Sequence, residues 1–175
     1  MSSFSNKAGS SAVGYLTAPG EDLITDCDAA QSCWRVSGTS FSSPVVAGAL
    51  ALLLQYFPNL SGRDAVSILL KTADDRGDAG VDSVWGNGAL NLAKAFAPVG
   101  SQTLSLPGGA SLDLPAASTP GTMLGAAFGD AVLSSAGLTT VIHDDYNRLF
   151  SVDLAQGYRS SQRPSTVAST VPPVN

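Results

Sequence analysis

The sequence is poor in soft ligands, in charge and in long apolar runs. It holds one His and two Cys in 175 residues. That is too few for a structural zinc site, which takes four soft ligands, and no metal site is expected. Only 13% of its residues are charged, and the acidic ones prevail to give a net charge of −5. A general nucleic-acid binder shows the opposite, a basic stripe, so nucleic acid is excluded as a partner class. No stretch reaches the ~18–20 apolar residues that a membrane helix needs, so no membrane span is expected in this chain. The longest apolar run, Val45 to Leu54, has the length of a buried core helix. Residues 1–20 lack an apolar h-region and are not a signal peptide. An exported protein with this sequence would carry its signal upstream of Met1, and Met1 need not be the true start.

What is present suits a globular chain. The apolar fraction of 44% argues against wholesale disorder. The length allows one domain plus a tail, or two very small domains. The 18 Gly and 10 Pro, with many Ser, Thr and Ala, are more typical of exported proteins than of cytosolic ones. Cys27 and Cys33 stand close together in the sequence. An oxidising compartment would allow a disulfide between them; the alternative is a pair of reduced thiols in an exposed loop.

Along the chain, Tyr15-Leu16-Thr17 reads as a short strand before a turn at Ala18-Pro19-Gly20. Leu23-Ile24-Thr25 and Trp34-Arg35-Val36 read as two more, flanking the cysteines. Residues 40–56 read as a helix, capped by Ser40 or Ser42, with Pro44 in the first turn. Its apolar residues cover most of the circumference, so it is expected inside a domain. Ser61-Gly62-Arg63-Asp64 has the form of a capping box, opening a helix whose buried face is Ala65, Ile68, Leu69 and Thr72. Residues 74–88 form a Gly- and Asp-rich loop, and Ala89 to Phe96 a third, short helix. Residues 98–121 read as a linker or a pair of short strands, with alternating Leu104, Leu106, Leu112 and Leu114. Beyond a turn at Gly129-Asp130, Thr139 to Ile142 and Leu149 to Leu154 look like strands. The final residues have the composition of a disordered tail.

Chemistry is concentrated in Ser37-Gly38-Thr39-Ser40-Phe41-Ser42-Ser43-Pro44-Val45-Val46-Ala47-Gly48. Ser40 comes after Gly-Thr and directly before an apolar helix. Gly38 would let the backbone turn sharply and let a substrate chain come close. At the helix N-terminus, unpaired N–H groups and the positive end of the dipole favour a developing oxyanion, and the Ser40 N–H is one such donor. A serine hydroxyl is a weak nucleophile alone and needs a base, usually His, oriented by a carboxylate.

This stretch resembles the nucleophile motif of subtilisin-like serine proteases, the subtilases. That motif reads Gly-Thr-Ser, a variable residue, Ser or Ala, a variable residue, Pro, and then a Val/Ala/Gly helix. Further landmarks agree in order: Phe4-Ser5-Asn6, Leu16-Thr17-Ala18-Pro19-Gly20, Pro58-Asn59-Leu60-Ser61, and Gly86-Asn87-Gly88-Ala89-Leu90-Asn91 with Ala93. Together they cover roughly residues 3–97.

The resemblance implies an α/β fold: the C-terminal part of a three-layer sandwich with a parallel sheet, plus a β-rich extension and a disordered tail. It divides the chain into residues 1–97, the C-terminal part of the catalytic domain; 98–121, linker or short strands; 122–157, the extension; and 158–175, the tail. It implies a secreted or bacterial surface serine endopeptidase acting on protein or peptide substrates. Ser40 would be the nucleophile, with Gly38 and Thr39 bordering the substrate cleft. No cofactor is implied, although the resemblance admits calcium in the full-length protein. The carboxylates of Asp74-Asp75-Arg76-Gly77-Asp78-Ala79-Gly80-Val81-Asp82 do not have EF-hand spacing, and they read as a solvated acidic turn. Trp85 is expected to pack on the end of the domain, and Trp34 to line the cleft or shield a strand.

Subtilases order their triad Asp, His, Ser along the chain. The Asp and His motifs would then lie upstream of residue 1, in a missing N-terminal catalytic segment, and the chain alone would be inactive. His143, in Val141-Ile142-His143-Asp144-Asp145-Tyr146-Asn147-Arg148, is a rival base. It lies after the Ser rather than before it, and its adjacent carboxylates cannot form a triad by adjacency. A non-catalytic remnant or surface-protein passenger module is the remaining alternative. The region after residue 98, with Phe128-Gly129-Asp130, His143 to Arg148, Phe150 and Asp153-Leu154, resembles the segment downstream of the protease domain in autotransporter subtilases.

Overall fold

In a computed structural model, residues 1–105, 109, 111–114 and 139–153 are described. They fall into two units: Met1–Gly100 together with Asp144–Arg148, and Ser101–His143 together with Leu149–Asn175.

The core of the first unit arises from local signals. Ser61 caps α2 (Gly62–Lys71) by accepting the Asp64 N–H at 3.1 Å and donating to Asp64 Oδ2 at 2.6 Å. The expected N-cap forms, but the return bond of a full capping box, from the Ser61 backbone N–H to the Asp64 carboxylate, is not made; the carboxylate takes the Ser61 hydroxyl instead. Ala65, Ile68, Leu69 and Thr72 are buried on one face of that helix. They pack with Ala49 and Leu53 of α1 (Thr39–Tyr56), with Phe57 and Leu60, and with Ala95 of α3 (Leu92–Phe96). Leu53, Ile68 and Leu69 are fully enclosed, and each contributes roughly 1.5–3 kcal/mol by leaving water. The third helix is shorter than its sequence suggests. Ala89 bridges to Thr17 and Asp74, and the Leu90 N–H donates to Thr17, so both residues are taken before the helix can start. Asn91 then caps it, accepting the Lys94 N–H at 2.9 Å.

Two expectations for α1 fail. Its N-cap is Gly38, without a side-chain cap, rather than Ser40 or Ser42. The helix is also not enclosed: only Ala49 and Leu53 are buried, while Leu52 is 50% and Leu54 37% exposed. Within the described residues, α2 and α3 cover one side of α1 and nothing comparable covers the other. By length and composition α1 is apolar enough to cross a membrane. That criterion is equally met by the core helix of a soluble domain, and it does not establish a span.

Before α1, β1 (Leu23–Cys27) and β2 (Cys33–Val36) form an antiparallel hairpin with an irregularity between Ile24 and Cys27. A disulfide joins Cys27 to Cys33 across its end, which decides between the two readings of these cysteines. Asp28 shapes the connecting turn, accepting the N–H groups of Ala30 and Ser32, each at 2.9 Å. Tyr15-Leu16-Thr17 does not form a strand. Thr17 makes a single parallel bridge to Ala89, the only parallel pairing among the described residues. At this level the fold is a mixed α/β one.

In the second unit β3 (Gln102–Ser105), β4 (Ser111–Leu114), β5 (Thr139–His143) and β6 (Leu149–Asp153) form an antiparallel sheet in the order β4-β3-β5-β6. Leu104 stands opposite both Leu112 and Ile142, and Ile142 opposite Phe150. Ile142 is the buried centre of this sheet. The expected features at Leu106, at Phe128-Gly129-Asp130, at Leu154 and in residues 158–175 lie outside the described residues.

Candidate functional site

Ser40 is the second residue of α1, and its side chain is exposed. Its hydroxyl makes no hydrogen bond to a described residue. The N–H groups of a helix's first turn have no acceptor inside the helix, so the Ser40 N–H points out from that end. Pro44 adds a second effect: it has no N–H to give the carbonyl four residues back, which is that of Ser40. Gly38 does not make the expected sharp turn. At φ 167° and ψ 145° it is extended, and a Cβ there would meet only the Phe41 ring at ordinary contact distance.

Three hydrogen bonds fasten this corner to residues 18–22. The Gly38 N–H donates to Gly20 O at 2.7 Å, and the Ser42 hydroxyl to Ala18 O at 2.9 Å. The Asp22 N–H donates to Ser37 Oγ at 2.9 Å. The approach is close enough that a Cβ on Gly20 would strike Ser42 Oγ and come within 2.9 Å of Gly38 O. Sequence reading found Ser40 but missed Ser42 and Gly20 as its supports. Their pairing spans 24 positions between Ala18 and Ser42 and leaves no periodic trace.

Residues 15–18 are held in turn by Gly86-Asn87-Gly88. The Asn87 side chain donates to Ala12, Val13 and Tyr15 carbonyls at 3.0–3.1 Å. Thr17 donates both its N–H and its hydroxyl to Gly88 O. Gly88 sits at φ 109°, and a Cβ on it would run into the Asp74 carbonyl. Open grooves lie on either side of the 15–18 segment. One of about 610 Å³ includes Phe4, Thr17, Pro19, Gly20, Thr39 and Trp85. Another of about 540 Å³ includes Tyr15, Thr17, Thr39, Val46 and Leu50. Thr39 borders both; Gly38 and Ser40 line neither. Trp85 is half-buried against Gly77 at the first groove, while Trp34 is 59% exposed and lines neither.

The carboxylates of the acidic loop are engaged by partners within the protein. Asp74 pairs with Lys94 at 2.7 Å and accepts from Asn91 at 3.0 Å. Those two partners, Lys94 first, hold its carboxyl below the usual range. Asp75 accepts from the Gly80 N–H, and Asp82 from those of Val84 and Trp85. Asp82 Oδ2 is buried without a hydrogen-bond partner among the described residues. Among the described residues no three of His, Cys, Asp and Glu converge as metal ligands. His143 belongs to the second unit, at the end of β5, opposite Leu149 and Thr103.

The model of the peptidase S8 subtilase family matches residues 1–88. Over 94 residues the chain is 43% identical to the Neisserial autotransporter lipoprotein NalP of Neisseria meningitidis serogroup B, covering 53% of this chain and 8% of that protein. Over 60 residues it is 42% identical to an extracellular serine protease of Serratia marcescens, covering 34% of this chain and 6% of the other. The chain thus spans less than a tenth of the length of these curated relatives. Among solved structures, the psychrophilic subtilisin-like protease Apa1 from Pseudoalteromonas sp. AS-11 matches with 35% identity and a TM-score of 0.35. That match covers 37% of this chain and 15% of the other.

Proposed function

The chain belongs to the subtilase family, and from that premise we propose that it is the nucleophile-bearing part of a serine endopeptidase, with Ser40 as the nucleophile. The observation that carries this reading is the placement of Ser40. Its hydroxyl is exposed and unengaged on the first turn of α1, at a corner held by hydrogen bonds from Gly38 and Ser42.

In the proposed reaction Ser40 Oγ attacks the scissile carbonyl while a His takes its proton. The tetrahedral oxyanion is held partly by the Ser40 N–H. Collapse expels the amine, which leaves with the proton from His, and water then hydrolyses the acyl-enzyme by the reverse sequence of proton transfers. Gly38 and Thr39 flank the substrate chain, and Thr39 already borders both grooves. The His and the Asp that orients it are supplied by a polypeptide segment outside these 175 residues. Loss of the nucleophile or the base from a subtilisin-type triad lowers turnover by about 10⁶, so the chain alone is inert on this reading.

The same segment supplies the parallel strands of a three-layer sandwich and covers the open side of α1. Leu52 and Leu54 are solvated without it. Protein or peptide substrates, and a secreted or surface location, are inferred from the family and from the extracellular relatives. No cofactor takes part. The test is labelling of the parent polypeptide, upstream Asp and His included, with a fluorophosphonate. Label that maps to Ser40 and disappears in Ser40→Ala is expected. A parent with both partners that stays unlabelled overturns the proposal, as does label that survives Ser40→Ala.

A further inference from the structure

The first unit does not end at Gly100: five residues from much further along the chain, Asp144–Arg148, are part of it. Arg148 is 3% and Asp144 6% exposed. The Arg148 guanidinium donates to Asp144 Oδ2 at 2.7 and 2.9 Å, to Ala95 O at 2.6 Å and to Ala97 O at 2.8 Å. Its face lies over the Phe57 ring, 4.8 Å from the centroid. Asp144 also accepts the N–H groups of Val99, Tyr146 and Arg148 at 3.0–3.1 Å. Tyr146 shares a hydrogen bond with Ser67 of α2 at 2.9 Å, and Lys71 lies over its ring.

We propose that Asp144–Arg148 is an internal latch peptide. It docks on the ends of α1 and α3 and the face of α2, and the first unit is complete only once Arg148 is in place. Helix α3 leaves its last carbonyls without donors of its own, and α3 is too short to be stable alone. Arg148 supplies the donors for Ala95 and Ala97, and its charge is tolerated in the interior because Asp144 matches it. The surface that receives the peptide is specific: the carbonyls of Ala95, Ala97 and Val99, the Val99 N–H, the Phe57 face and the Ser67 hydroxyl each meet a group of the turn Asp144–Arg148. Breaking a buried pair by removing one partner leaves an uncompensated charge, an effect on the order of 10²–10⁴ in the folded-to-unfolded ratio.

The test uses the full chain. Arg148→Met is expected to lower the folded-to-unfolded ratio by that factor in denaturant melts and to expose the chain between Ala95 and Gly100 to limited proteolysis. Asp144→Asn keeps the side-chain shape and covers the case in which Arg148→Met does not fold. In it the Val99 and Ala97 amides are expected to exchange hydrogen faster than in the parent. An unchanged ratio and unchanged proteolysis in Arg148→Met overturn the latch, as do unchanged amide exchange rates in Asp144→Asn.

Discussion

At the scale of single residues, the candidate nucleophile depends on neighbours that do no chemistry. Ser42 reaches out of α1 to Ala18 O and so ties the turn bearing Ser40 to the segment between the two grooves. Ser42→Ala removes one half-buried hydrogen bond. The expected loss is about 1 kcal/mol in a urea melt, with the m-value unchanged. A loss near zero would mean that the Gly38–Gly20 and Asp22–Ser37 bonds suffice to hold the corner. This is also the scale at which sequence reading has its sharpest edge. Ser40 stands out as a candidate because Gly-Thr-Ser ahead of an apolar helix is a contiguous signal. The Ser61 and Asp64 cap was legible for the same reason. Ser42 and Ala18, or Asn87 and the carbonyls of residues 12–15, meet only through folding, and nothing local announces them. Asp144 and Arg148 stand in a polar string between two expected strands. Their spacing of four was the available hint of a pair, but burial of that pair is decided by Phe57, Ala95 and Ala97, far away in sequence.

At the scale of elements, α2 was legible almost residue by residue because it has one apolar face and a capped start. Helix α1 misled for a physical reason. An apolar circumference says that a helix needs cover on all sides; it does not say which residues provide the cover, and among the described elements α2 and α3 supply most of it. Helix α3 was overextended because Ala89 and Leu90 have helical propensity but are claimed by bridges to Thr17 and Asp74. The ion pair between Asp74 and Lys94 joins α3 to the loop before it. The carboxyl of Asp74 is held below its usual value, chiefly by Lys94 and then by Asn91. A depressed folded-state value adds stability that is fully present above the unfolded value of about 3.9 and disappears as pH falls through the folded one. Denaturation midpoints of the parent and of Asp74→Asn should therefore differ at pH ~6 and converge as acidification passes below the usual Asp value. Midpoints that stay equally far apart across that range would count against this pair. Asp74 is surface-accessible, so the difference should also shrink with added salt.

At the scale of the whole molecule, the first unit leaves several large apolar side chains in solvent. Leu52, Leu54, Tyr56 and Ile24 are all exposed in the first unit. On the proposed reading, the exposed side chains of α1 are covered by a segment outside these 175 residues. The chain by itself is expected to enhance the fluorescence of an apolar dye such as ANS. If the proposed function holds, co-expression with a segment carrying the subtilase Asp and His motifs suppresses that signal and restores fluorophosphonate labelling together. Dye binding that persists in a labelled, assembled protein would show that the face of α1 serves some other partner. The family was legible from four landmarks in order, whereas the parallel sheet expected with it could not be seen in a chain whose described strands pair antiparallel.

The position of Arg148 also sets a timetable for biosynthesis. A ribosome working at about 5–20 residues per second needs roughly 2–10 s to travel from Gly100 to Arg148. Throughout that interval the carbonyls of Ala95 and Ala97 wait for a guanidinium that has not yet been made. A nascent chain arrested there would be a substrate for chaperones and quality-control proteases, and codons that slow translation between those two points would lengthen its vulnerability.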